Sequence, residues 1–225
     1  MAVIQENDCN LSTPLVTFRR MKLAVFVSGR GTNLLNIINK INDGFLRSEI
    51  ALVISNHDCE AIESSMRAGI QSVIVDPKDF PGEVEFGNSL LRTLNEARVD
   101  LIVLAGYLKK IPDAVVSKFK NKILNIHPAL LPSFGGKGMY GMKVHQAVID
   151  YGCKVSGATV HLVDAEYDRG PVVLQRCVPV DSGDTPEDLA AKIHQLEYQL
   201  LPEAIELFEN NKVKVEGRKV QILRS

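Results

Sequence analysis

The chain predicts an α/β fold, a mostly parallel, doubly wound, Rossmann-like sheet with an antiparallel C-terminal part. Two observations carry this. From Lys22 to about Ile126, short β-branched apolar runs alternate with segments of helical spacing, at the interval of βαβ units. The runs are continuously apolar, as in strands buried on both faces. With 225 residues, 45% hydrophobic and 24% charged, the chain can also bury a sizeable core. The expected organisation is an N-terminal extension over 1–20 and one domain over 21–225.

Residues 1 to about 20 are polar and unpatterned. Lys22 to Val27 is the first strand, bounded by Ser28-Gly29. Leu34 to Ile41 follows with apolar residues at helical spacing, and Ile50 to Ile54 is the second strand. Ala61 to Ala68 is a helix closed by Gly69. Ser72 to Val75 is a short third strand stopped by Asp76-Pro77. Phe86 to Ala97 is a helix, and Leu101 to Ala105 a fourth strand ended by Gly106. Ile123 to Ile126 is a further strand, followed by a Pro-bounded turn and the glycine-rich loop Gly135 to Gly141. Val144 to Tyr151 is helical. Ala158 to Val163 and Pro171 to Val180 read as strands joined by an acidic loop. Thr185 caps the last long helix, with Pro186 at its first position and apolar residues at Leu189, Ile193, Leu196 and Leu200. Val213 to Ile222 is a hairpin candidate.

Charge and composition narrow the function classes. The 26 Lys+Arg against 27 Asp+Glu give a net charge of -1, unlike the basic footprint of a dedicated nucleic-acid binder. Tryptophan is absent and aromatics are 6%, too few for a base-stacking platform. No apolar run is long enough to span a membrane, and the N-terminus lacks a secretory core. Cys9, Cys59, Cys153 and Cys177 form no CxxC pair, so no metal is expected and a reducing cytoplasm is the expected compartment.

Three motifs carry chemistry. Ser28-Gly-Arg-Gly-Thr-Asn33 joins the first strand to the first helix, where helix N-terminal amides point at an anion. It lacks the GK[ST] of a P-loop, and Leu34 stands where a dinucleotide fingerprint has its third glycine. The loop therefore suits one terminal phosphate better than a pyrophosphate, with Thr32 and Asn33 as further donors. In Asn125-Ile-His127-Pro128, positions i and i+2 of a strand share one side, at the strand end where open α/β sheets bind ligands. Asn125 suits an oxyanion and His127 a proton relay. Between Asp164 and Pro171, Asp164, Glu166 and Asp168 are all candidates to raise the pKa of a nearby imidazole. His161 lies on the opposite strand face from Val160 and Leu162, as a structural or supporting partner. His57, His145 and His194 show no pattern and read as structural.

Ser28 to Asn33, Leu104-Ala-Gly-Tyr107, Leu124 to Pro132, and Val160-His161 with Asp168 to Gln175 together resemble the folate-dependent phosphoribosylglycinamide formyltransferases. The resemblance runs from about Lys22 to Phe208. It implies formyl transfer from the co-substrate 10-formyltetrahydrofolate to the amine of 5-phosphoribosylglycinamide in purine biosynthesis. It implies small-molecule partners only, as monomer or homodimer, with neither nucleic acid nor membrane. It implies a catalytic trio of Asn125, His127 and Asp168, with Asp168 keeping His127 cationic as general acid. Gly31, Thr32 and Asn33 would bind the substrate phosphate, Glu197 its amine end, and Leu108, Lys109, Lys110, Ile111 and Asn125 the folate. The chain departs from the family at Lys109, where arginine is frequent, and near Glu83, where the family commonly has arginine. Formyltetrahydrofolate deformylase shares the trio but carries an extra N-terminal domain; methionyl-tRNA formyltransferase carries a basic C-terminal extension. A sugar- or nucleotide-binding module without catalysis is the non-enzymatic alternative.

Overall fold

The structure, a computed structural model, describes residues 19–223. The extension expected over 1–20 therefore lies almost wholly outside the described residues. Among the described residues, nine strands and six α-helices follow: β1 (Lys22–Val27), α1 (Thr32–Asn42), β2 (Glu49–Ser55), α2 (Glu60–Arg67), β3 (Ser72–Ile74), α3 (Glu83–Glu96), β4 (Leu101–Leu104), α4 (Asp113–Lys118), β5 (Ile123–His127), α5 (Met142–Tyr151), β6 (Val155–Leu162), β7 (Val172–Pro179), α6 (Pro186–Glu209), β8 (Val213–Glu216) and β9 (Lys219–Ile222). The main sheet has the order β3-β2-β1-β4-β5-β6-β7. Strands β1 to β5 pair in parallel, and β6 and β7 run antiparallel at one edge. β8 and β9 form a separate antiparallel hairpin.

The period of two sorts the core into two layers. Leu23, Val25 and Val27 of β1 pack with Leu34 and Ile37 of α1, Val148 of α5 and Leu189, Ile193 and Leu200 of α6. Ala24 and Phe26 point the other way, against Phe86, Leu90 and Leu94 of α3 and Val115 of α4. Phe26 is fully buried, which stabilises by about 1.5–3 kcal/mol.

Several elements outrun their sequence signals. β6 starts at Val155 instead of Ala158, because pairing with β7 extends to Val155↔Pro179. α3 starts at Glu83, whose carboxylate accepts from the Asp113 amide at 3.1 Å and links the first turns of α3 and α4. α4, only six residues, gave no periodic signal. The capping box of α6 is complete: Thr185 Oγ1 accepts from the Asp188 amide, and Asp188 Oδ2 accepts from the Thr185 amide. α6 then continues past Pro202 to Glu209. Proline cannot donate to the carbonyl four residues back. That carbonyl, Tyr198 O, instead accepts from Asn36 Nδ2 of α1 at 2.8 Å. The break is thus repaired by a neighbouring helix, and α6 is fastened to α1 beside the strand ends.

Candidate active site

The strand order reverses direction between β1 and β4, and a cleft of about 650 Å³ opens there beyond the C-terminal ends of the parallel strands. The Ser28 hydroxyl ties its walls together. It donates to Asn56 Oδ1 at 2.5 Å and accepts from the Leu108 amide at 3.0 Å, joining the segments after β1, β2 and β4. Gly31 caps α1 in the left-handed region at φ 75, and a Cβ there would lie 2.6 Å from Ala61 Cβ. No side chain caps α1 and no acid sits in its first turn, so its leading amides remain available to an anion.

All the residues expected to bind or react line this one cleft: Gly31 to Asn33, Leu108 to Ile111, Asn125, His127, Asp168 and Glu197. Glu83 does not. Its place is the junction of α3 and α4. The Asn33 side chain departs from the expected donor role. It is buried and turned towards Glu197, with Nδ2 3.4 Å from Oε2. Burial pushes the Glu197 carboxyl up to about 7, with Asn33 opposing.

Asn125 and His127 share a face of β5, and the register with β6 sets Asn125 opposite His161 and His127 opposite Thr159. Asn125 Nδ2 lies 3.0 Å from His161 Nε2, and His161 Nδ1 lies 2.8 Å from the Leu162 carbonyl. The carbonyl can only accept and the amide nitrogen can only donate. His161 Nδ1 therefore donates to that carbonyl, and Asn125 has one N–H left for another acceptor. His127 Nε2 donates to the Phe134 carbonyl at 2.8 Å.

Of the three carboxylates that spacing left open, Asp168 reaches the histidines. Its Oδ2 lies 3.7 Å from His127 Nδ1, and its Oδ1 3.6 Å from His161 Nε2. Asp164 instead accepts from the Glu166 amide. Burial alone would raise the Asp168 pKa. The two imidazoles and the Gly136 amide, 2.8 Å from Oδ2, outweigh it and hold the carboxyl below its ordinary value.

The protonation of His127 differs from expectation. Burial is the largest influence and moves its pKa below the usual histidine value, although Asp168 and the Phe134 carbonyl pull upward. A ring 4% exposed loses more hydration on charging than one carboxylate 3.7 Å away returns. Burial thus works against the cationic form that Asp168 favours.

Other residues line the cleft unforeseen. Met139 and Tyr140 come from the glycine-rich loop. His194 of α6 brings Nε2 to 3.9 Å from Glu197 Oε2, one helical turn away. Its ring meets that of His145 edge-on, centroids 6.4 Å apart. Burial, then His194 and His127, push His145 down to about 4. The i, i+3 spacing of His194 and Glu197 was the signal available in sequence. Among the described residues no group of three or more His, Cys, Asp or Glu could hold a metal ion, and no helix is long and apolar enough to cross a membrane.

Comparison with known proteins matches this geometry to a family. The formyl transferase family model matches residues 21–205. A phosphoribosylglycinamide formyltransferase of Vigna unguiculata, named as chloroplastic, is 46% identical over 194 residues, 85% of this chain. The chain spans 62% of that relative's length. The phosphoribosylglycinamide formyltransferase of Haemophilus influenzae is 37% identical over 86% of this chain and 90% of its own. Among solved structures, glycinamide ribonucleotide transformylase 1 from Symbiobacterium toebii superposes with TM-score 0.85 at 39% identity, covering 91% of this chain and 95% of its own. A formyltetrahydrofolate deformylase from Pseudomonas syringae superposes at TM-score 0.81 with 25% identity, covering 92% of this chain and 67% of its own. With Asn125, His127 and Asp168 converging in the cleft of such a fold, the chain belongs to the formyl transferase family, and within it to the phosphoribosylglycinamide formyltransferases.

Proposed function

We propose that the protein transfers a formyl group from 10-formyltetrahydrofolate to the amine of 5-phosphoribosylglycinamide. The convergence of Asn125, His127 and Asp168 in one cleft carries this reading. The co-substrate brings the formyl group. The exposed Leu108 and the buried Ile111 offer apolar surface to its ring, with Lys109 as a point charge nearby. The open amides at Gly31 to Asn33 take the substrate phosphate and Glu197 holds the glycinamide end. Among the described residues no Ser or Cys pairs with His127, and the amine attacks the formyl carbon directly. Asn125 donates its free N–H to the oxyanion that develops. Neutral His127 accepts the proton shed by the amine, becomes an imidazolium beside Asp168, and returns the proton to the leaving folate nitrogen.

The test is formyl transfer by His127→Ala and Asp168→Asn. Each should cost about two to three orders of magnitude in kcat, and near-wild-type turnover in both would sink the assignment. Deformylation is the second reading, favoured by the TM-score of 0.81 to the deformylase. Formate release without the amine substrate at the rate of transfer would favour it. The cytoplasm expected from the sequence is one reducing compartment that suits the free Cys59, Cys153 and Cys177; the chloroplastic placement belongs to the Vigna unguiculata relative.

A further inference from the structure

The loop bearing Asp168 is held on three sides. The Gly136 amide donates to the carboxylate at 2.8 Å. Gly170 is pressed so closely on β6 that a Cβ would fall 1.8 Å from the Leu162 carbonyl oxygen. The third hold comes from the β8–β9 hairpin, which lies outside the main sheet. Arg218 Nη2 donates to the Arg169 carbonyl at 2.6 Å, across 49 positions. Gly217, at φ 59, makes the turn that presents Arg218, while Val215 and Val220 seat the hairpin on the core. Asp168 itself stands at φ 55, a left-handed conformation that a non-glycine residue keeps only where its surroundings over-determine it.

We propose that Arg218 is a positioning residue for formyl transfer: by fixing the Arg169–Gly170 peptide, the second beyond Asp168, it keeps that carboxylate aimed at His127 and His161. The inference rests on the reading of Asp168 as part of the reacting trio. A guanidinium donating to a peptide oxygen restrains the plane of that peptide, and the Asp168 side chain leaves the backbone one residue before it. Without Arg218 the loop gains conformations in which the carboxylate is out of reach of the imidazoles. The hairpin then braces the site from a distance without touching substrate.

The experiment compares Arg218→Ala, Arg218→Lys and Lys214→Ala in formyl transfer, alone and on the Asp168→Asn background. Lys214→Ala removes the hairpin's Lys214–Glu216 ion pair at 2.7 Å and leaves the loop contact intact. Arg218→Ala should lower kcat about 5-fold, the equivalent of one ordinary hydrogen bond, with KM for the phosphoribosyl substrate unchanged. Arg218→Lys should recover part of the loss, since a single ammonium donor can meet the same carbonyl. Lys214→Ala should keep the wild-type kcat, and Asp168→Asn/Arg218→Ala should be no slower than Asp168→Asn. A wild-type kcat in Arg218→Ala, an equal loss in Lys214→Ala, or a full further loss on the Asp168→Asn background would each overturn the proposal. If Asp168→Asn itself turns over normally, the reading of Asp168 has failed instead.

Discussion

Glu197 binds its proton more tightly folded than unfolded. Its carboxyl rises from 4.5 to about 7 on burial. Between those values the native state retains a proton that the unfolded chain has released, so stability falls as pH rises. The contribution is complete below 4.5 and gone above about 7. Glu197→Gln removes this dependence. Relative to wild type it should gain roughly 2–3 kcal/mol between pH 4.5 and 8 in urea melts; a constant difference across that range would contradict the assignment. The same residues shape the rate. The wild-type kcat/KM should show two acid limbs, one near 7 from Glu197 and one below the ordinary histidine value from His127. Glu197→Gln should abolish only the upper. In sequence, Asn125 and His127 were legible because a strand's period of two aligns them. Spacing could not choose among Asp164, Glu166 and Asp168, since an irregular loop has no period; only the family resemblance singled out Asp168. The downward pull of burial on the His127 pKa was also hidden, because desolvation depends on everything that covers the ring.

The α1–α6 junction turns a helix defect into a tertiary contact. Asn36→Ala would strand the Tyr198 carbonyl that Pro202 cannot serve. The expected cost is about 1–3 kcal/mol, read by chemical denaturation. Pro202→Ala on that background should restore an intrahelical partner and recover part of the loss, whereas additive destabilisation would refute the repair. At the other end of α6, Thr185→Ala removes a complete capping box and should cost about 1 kcal/mol. That cap was legible, because Thr185, Pro186 and Asp188 are adjacent. The continuation past Pro202 was not, because its cause sits on another helix 162 residues away in the chain.

At the scale of the whole molecule, the alternation of β-branched runs and helical spacing disclosed the α/β class and most elements. Strand order was not legible, since the same runs pack in several orders with equal burial. That order sets the cleft between β1 and β4, and ligand binding there should stabilise the entire sheet. At a concentration 100 times its Kd, 5-phosphoribosylglycinamide should add about 2.7 kcal/mol to unfolding, seen as a raised melting temperature, and glycinamide lacking the phosphate should add far less. An equal shift from both would place recognition away from the α1 amides. Asn33 and Glu197 meet across 164 positions of sequence. A nascent chain therefore exposes β1 to β5 long before α6 has been made. Until then the anion cradle lacks its acidic wall, and substrate can reward only chains whose last helix has docked.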